Sequence, residues 1–132
     1  MPLDAIGVVV DDLDPARDFY RLLGIDVAED PEGHGHAEAE LTGGIRLMFD
    51  TVETMRSFDP DWARGSGSPR VTLAFSFDSP AEVDAKNAEL LAAGGQGHKE
   101  PWDAFWGMRY ATLRDPDGNE LSLYAQLPQS GD

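Results

Sequence analysis

The chain has 132 residues, 41% of them hydrophobic and 27% charged, enough for one well-buried domain and too few for two ordinary ones. Its 25 acidic and 10 basic residues leave a net charge of −15, which argues against nucleic-acid binding, since a phosphate backbone demands a basic footprint. The absence of cysteine excludes a disulfide framework, a thiolate metal site and a cysteine nucleophile.

The opening "MPLDAIGVVVDDL" has no basic n-region and no long apolar run, so neither a signal peptide nor a membrane span is expected, and a cytoplasmic location is the default. From Ala5, "AIGVVVDDLDPARDFYRLLGIDV" reads as an apolar strand, a turn and an amphipathic helix. Asp14 is the expected N-cap and Pro15 the first helical residue; Phe19, Leu22 and Leu23 form the apolar face, and Gly24 ends it. In "PEGHGHAEAEL" (Pro31 to Leu41), His34, His36, Glu38 and Glu40 alternate with Ala37, Ala39 and Leu41, the pattern of a strand with one polar and one apolar face. A Thr42-Gly43-Gly44 turn then leads into "IRLMFD", completing a hairpin.

The next stretch, "TVETMRSFDPDWARGSGSPR", reads as a loop-like joint, flexible at Gly65-Ser66-Gly67-Ser68. "VTLAFSFDSPAEVDAKNAELLAAGGQG" then repeats the strand, turn and helix: Ser79 caps, Pro80 opens, and Glu82 completes a capping box. Val83, Leu90 and Leu91 supply the apolar face, and Gly94 and Gly95 the stop. "MRYATLRDPDGNELSLYA" is a second hairpin turning at Asp115-Pro116-Asp117-Gly118-Asn119. Val10-Asp11-Asp12 overlays Phe77-Asp78-Ser79 at an offset of 67, and Gly44 overlays Gly118 at an offset of 74. The expected fold is therefore α+β: two tandem βαβββ modules forming curved sheets around a cleft, with the helices on the outer face. The chain is expected to be one domain, with repeat 1 at about 3–58, a linker at about 59–69 and repeat 2 at about 70–127.

This duplication, with "FYRLLG" and "WGMRYATLRDPDGNEL", resembles the vicinal oxygen chelate superfamily, which includes glyoxalase I, extradiol dioxygenases, fosfomycin resistance enzymes and bleomycin resistance proteins. The resemblance covers residues 3 to 126. It implies a divalent metal held in the cleft by His, Gln or Glu at inward positions on the first and last strand of each repeat, acting as a Lewis acid on vicinal oxygens. Here those positions read Ala5, Met48, Thr72 and Ser122, and none is a good ligand for Zn²⁺, Ni²⁺, Mn²⁺ or Fe²⁺. A slip of one residue would turn each side chain to the opposite face, so a small realignment does not rescue the site. Glu120, two residues from Ser122 on the same face, is one carboxylate and not a centre.

His34 and His36 are then read as strand-face residues near a ligand or solvent, and His98 as an exposed loop histidine. No G-x-S-x-G elbow, Walker loop or strand-linked G-x-G-x-x-G is present. By alternation the cleft face carries Arg46, Met48 and Asp50; Met108, Tyr110 and Thr112; and Glu120, Ser122 and Tyr124, with Thr72, Ala74 and Ser76 as a small floor. Trp102, Phe105 and Trp106 form an aromatic rim in a loop between strands, joined by Trp62. The rim suits stacking or cation–π contact, and the same rings could instead cover a barrel end or a dimer interface.

The expected function is metal-free binding of a small molecule, basic or planar and aromatic, through His36, Glu38, Met48, Asp50, Trp102, Phe105, Trp106, Tyr110, Ser122 and Tyr124. No catalytic residue and no cofactor is assigned. The bleomycin-resistance-like members that this pattern resembles sequester a drug as homodimers, which implies a homodimer here, with no nucleic-acid or membrane partner. The alternatives are a metal-dependent lyase, isomerase or dioxygenase with displaced ligands from His34, His36, Glu38 and Glu120, or metal-free acid–base catalysis at Glu38 or Glu120.

Overall fold

Alternating apolar side chains make strands that bury one face, and in this chain each such set is covered by the helix that follows its first strand. A computed structural model describes residues 1–129, and the chain divides into two units, Met1–Ser66 and a second beginning at Gly67. The architecture is mixed α+β, with one sheet of three strands and one of four.

The first unit runs β1 (Ala5–Val10), α1 (Leu13–Arg21), β2 (His36–Glu40), β3 (Arg46–Thr51) and α2 (Val52–Phe58). Its sheet order is β1-β3-β2, with β1 parallel and β2 antiparallel to β3. Val8, Val10, Ala37, Ala39, Leu47 and Phe49 are buried with Ala16, Phe19 and Tyr20 of α1. The Tyr20 ring lies 4.9 Å from that of Phe49 and 5.6 Å from that of Phe19.

Three local expectations are corrected here. The cap of α1 is Asp12, not Asp14, which places it where Ser79 stands in the second repeat. Asp14 falls instead in the first turn, where a carboxylate suits the helix dipole, and accepts from Arg17 Nη1 at 2.8 Å. The buried face is Ala16, Phe19 and Tyr20, three and four residues apart, while Leu22 is already the C-cap and, like Leu23, only half-buried. The stretch taken as a loop-like joint begins with α2, whose Thr51 cap accepts from the Thr54 amide at 3.1 Å. This helix buries no side chain, so it lacks the apolar stripe by which helices are read.

The second unit is a full βαβββ module: β4 (Thr72–Ser76), α3 (Pro80–Ala92), β5 (Gln96–Asp103), β6 (Met108–Arg114) and β7 (Glu120–Gln126), in sheet order β4-β7-β6-β5. The first unit is one strand shorter. Where that strand would lie, Ala28 donates one bond to the Glu38 carbonyl at 3.0 Å, and the Arg17 guanidinium donates to the Ala28 carbonyl at 3.3 Å. The segment "DVAEDPEG" has no sustained alternation and contains a proline, so it does not continue the ladder. In α3, Ser79 Oγ accepts from the Glu82 amide at 3.3 Å, and the Glu82 carboxylate accepts from the Asp78 amide at 3.1 Å. Val83, Asn87 and Leu90 form the buried side, and Leu91, expected among them, lies outside that stripe and is exposed.

Both helices end alike. Gly24 (φ 77°) and Gly94 (φ 102°) take the left-handed conformation, and the next amides close back on Tyr20 at 3.1 Å and Leu90 at 2.9 Å. The strand registers repeat too: Ala5 faces Arg46 as Thr72 faces Glu120, which are the pairs related by the offsets of 67 and 74. The hairpin turns are five-residue loops closed by Leu41 N–H to Ile45 O and Asp115 N–H to Asn119 O, both 2.8 Å.

The second turn adds a buried carboxylate. Asp115 is fully buried and accepts from the amides of Asp117 and Asn119 and from Asn119 Nδ2, each at 2.9 Å. Asp115→Ala strands two backbone donors and is expected to cost about 1–3 kcal/mol, with Asp115→Asn losing less because it keeps one acceptor. Urea denaturation checks this, and an unchanged midpoint for the alanine variant would show that the turn holds without its carboxylate.

Candidate functional site

Each sheet has a face that its own helix does not cover, and the chemistry-bearing residues sit there. In the first unit this face carries Ala5, Gly7 and Val9 from β1, Arg46, Met48 and Asp50 from β3, and His36, Glu38 and Glu40 from β2. Four of them, His36, Asp50, Glu38 and Arg46, form an open chain of hydrogen bonds that ends on Asp4. His36 Nδ1 lies 2.7 Å from Asp50 Oδ1 and His36 Nε2 lies 2.7 Å from Glu38 Oε2. Arg46 donates to the other Glu38 oxygen at 2.8 Å and to Asp4 at 2.6 Å.

Ionised carboxylates only accept, so a carboxylate beside each ring nitrogen favours the doubly protonated form of His36. Its two neighbours, Glu38 first and Asp50 second, hold its pKa above the usual 6.5. In return His36 and then Arg46 hold the Glu38 carboxyl below its usual 4.5. His34, expected on the same strip, precedes β2 in a loop, with Nε2 3.3 Å from Glu32. That loop is tied by Asp30, whose carboxylate accepts from the amides of His34 at 3.1 Å and Gly35 at 2.8 Å.

The positions where the family carries metal ligands do not fit a metal. Ala5 offers a methyl group and Met48 a thioether. Thr72 Oγ1 and Ser122 Oγ are neutral hydroxyls 3.2 Å apart that hydrogen-bond each other. Hard and borderline divalent ions prefer imidazole and carboxylate. The His36 ring stands between its carboxylates, one nitrogen toward each, so these groups do not converge on a point. Among the described residues no group of three or more His, Asp or Glu side chains is placed to hold an ion.

The uncovered face of the second unit differs in kind. Pairing across the four strands lines up Ser76, Tyr124, Tyr110 and Trp102 in one row, Ala74, Ser122, Thr112 and Lys99 in the next, and Thr72, Glu120, Arg114 and Gln96 in the third. The first row is aromatic and continuous. Tyr110 and Tyr124 stack at 6.2 Å and 18°, Trp106 meets Tyr110 and Trp102 edge-on at 5.4 Å each, and Phe105 meets Trp106 at 4.8 Å. Lys99 Nζ sits 4.8 Å from the centre of the Trp102 ring.

Of the expected rim, Trp102 lies in β5 and not in a loop; only Phe105 and Trp106 occupy the turn, which Ala104 N–H closes onto Met108 O at 2.8 Å. Phe105 is 92% and Trp106 46% exposed, so two large rings face solvent. Ser122 is buried at the middle of the face. His98 is exposed as expected, on strand β5 and not in a loop. Trp62 lies beyond α2 in the first unit, its carbonyl accepting from Arg56 Nε at 3.0 Å. Met108, Tyr110 and Thr112 were legible from alternation; the same alternation reaches Arg114, which a reading centred on acidic residues passes over.

A profile of the Glyoxalase/Bleomycin resistance protein/Dioxygenase superfamily matches residues 3–123. An uncharacterized protein of Mycobacterium bovis is 31% identical over 122 residues, covering 88% of this chain and 78% of that protein. A crystal structure of a glyoxalase/bleomycin resistance protein/dioxygenase family enzyme from Burkholderia phytofirmans superposes with a TM-score of 0.81 at 22% identity, covering 96% of this chain and all (100%) of that one. A lactoylglutathione lyase from Agrobacterium tumefaciens superposes with a TM-score of 0.63 at 22% identity, covering 94% and 92%. At these identities the two structures speak to the fold.

The His36 network has a pH signature. A raised imidazole pKa stabilises fully below about 6.5, and the contribution is lost as pH rises through the folded value; a lowered Glu38 pKa stabilises above 4.5 and is lost as pH falls through its folded value. The network is therefore complete between those values. Its effect is modest because the His36 side chain is 38% exposed and solvent screens it. His36→Gln is expected to lose the part of the decline in Tm between pH 5.5 and 8.5 that wild type shows; identical pH profiles for the two proteins would remove His36 from the account.

Proposed function

The chain belongs to the glyoxalase/bleomycin resistance protein/dioxygenase superfamily, and on that footing we propose that it is a metal-free small-molecule binding protein whose ligand is planar and aromatic. The observation that carries this reading is the ring row Trp102, Trp106, Tyr110 and Tyr124, part-exposed on a face no helix of its unit covers. Rings already in edge and stacked geometry lose little freedom when another ring joins them, and each such contact is worth about 0.5–1.5 kcal/mol beyond buried area. Ser122, Phe105 and the row of small residues beside it complete the surface. His36, Glu38, Met48 and Asp50 are part of the proposed ligand surface of the first unit.

Family membership by itself leaves function open, because this fold hosts unrelated chemistries. The donor set at Ala5, Met48, Thr72 and Ser122 supports a binder over a metal-dependent lyase or dioxygenase. A drug-sequestering role, as in the bleomycin-resistance-like members, a homodimeric state and a cytoplasmic setting all belong to this proposal; no described helix is long and apolar enough to cross a membrane. The ligand's charge is set by the groups beside the rings more than by the net −15.

A second reading rests on the His36–Asp50 pair, since a carboxylate on Nδ1 orients an imidazole for acid–base work. It requires a substrate to displace Glu38 from Nε2. Turnover separates the two readings: a binder returns its ligand unchanged, whereas an acid–base enzyme converts it and loses that turnover in His36→Gln.

The metal question is answered by native mass spectrometry of protein purified without chelator and then exposed in turn to Ni²⁺, Mn²⁺, Zn²⁺ and Fe²⁺. No stoichiometric ion is expected, and one tightly held ion per chain would put a metal enzyme first. Trp106→Ala should weaken a planar ligand by about 1–3 kcal/mol, as truncating a stacking anchor does. Unchanged affinity would return the rings to a covering role.

A further inference from the structure

The third row of the second unit's open face holds the cation Arg114. Several other arginines are paired with carboxylates: Arg109, on the opposite face of the same strand, bonds Asp84 at 2.9 Å and Asp103 at 3.1 Å, and Arg46 bonds Glu38 and Asp4. Arg114 makes no ion pair or side-chain hydrogen bond among the described residues, and its Nε is buried without an acceptor. Glu120 stands opposite it in register, yet the two do not form an ion pair. Exposed Arg70 also forms no ion pair among the described residues; Arg114 differs from it in that its unpartnered Nε is buried. A buried N–H with no partner costs free energy until something supplies an oxygen.

The surroundings say what shape that something has. Tyr110 and Arg114 are on β6 with one intervening residue on the same face, Thr112, so about 13 Å of strand separates them. Between them lie only small side chains, Thr112, Ser122 and Ala74. That leaves a shallow floor bounded by the Tyr110–Tyr124 rings on one side and the guanidinium on the other. Lys99, over the Trp102 ring at the strand edge, adds a second positive charge to the same face. A guanidinium fork matches a carboxylate or a similar planar oxyanion bidentately, while repelling a basic ligand.

We propose that Arg114 is the polar anchor of this face and that the ligand is a planar aromatic molecule bearing an oxyanion, its ring against Tyr110 and Tyr124 and its carboxylate on the Arg114 guanidinium. This rests on the binding function proposed above and reverses the sign of charge expected from composition. The net charge is spread over the surface, whereas ligand selection is made by the groups within reach.

The test is calorimetric titration of the full chain with 2-naphthoate and with 2-naphthamide, which share a ring system and differ in charge. Naphthoate is expected to bind at least tenfold more tightly. Arg114→Met should remove that preference, Arg114→Lys should keep part of it, and Tyr110→Ala should weaken both ligands. Equal affinity of the two probes for wild type overturns the anchor and leaves the aromatic binding face standing, a comparison that needs no variant to fold. Retention of the preference in Arg114→Met also overturns it. No saturable heat with either probe overturns both the anchor and the binding function.

Discussion

Parallel pairing of the first and last strand within each unit is the constraint on which the rest depends. Parallel neighbours cannot be joined by a tight turn, so a helix and a hairpin must be accommodated between β1 and β3 and between β4 and β7. The helix takes the apolar side, where Phe19 and Tyr20 in one unit and Val83 and Leu90 in the other cover alternating Val, Leu and Phe residues. The other side is left to whatever side chains the strands present. Where a strand alternates regularly, one register assigns both faces at once; β5 departs from this, with register shifts on either side of Lys99.

The two open faces show how far the same scaffold diverges. In the first unit Asp50, His36, Glu38, Arg46 and Asp4 satisfy one another, and the charges are used up in mutual hydrogen bonds. In the second unit the rings stack, two hydroxyls pair, and the Arg114 Nε is left without an acceptor among the described residues. A ligand that meets the His36 network competes with hydrogen bonds already made there. An aromatic row beside an unpaired cation gains from each contact it makes.

Ala5, Met48, Thr72 and Ser122 stand at equivalent places in the two repeats, and a methyl group, a thioether and two hydroxyls are poor donors for a divalent ion. What replaces the metal as an organising charge is, in the proposal made here, a fixed guanidinium. Both are cations aimed at ligand oxygens; a metal polarises them for reaction, whereas a guanidinium mainly orients and holds.

Sequence alone determined the duplication, the apolar faces of the strands, the caps and stops at Ser79, Gly24 and Gly94, and which side chains stand at the positions the family resemblance assigns to metal ligands. These follow from local rules: period-two alternation, capping chemistry, glycine at positive φ, and the donor capacity of single side chains. It missed α2 because a helix that buries nothing leaves no periodic trace, and it placed the α1 cap two residues late because Pro15 suits several positions of a first helical turn. Only tertiary structure decided that the ring of His36 is shared between Asp50 and Glu38, that Trp102 lies on a strand, and that the buried Arg114 Nε has no partner among the described residues. Each of these depends on which residues of distant segments meet across a ladder, and a single strand's pattern fixes a side chain's face without naming its neighbour.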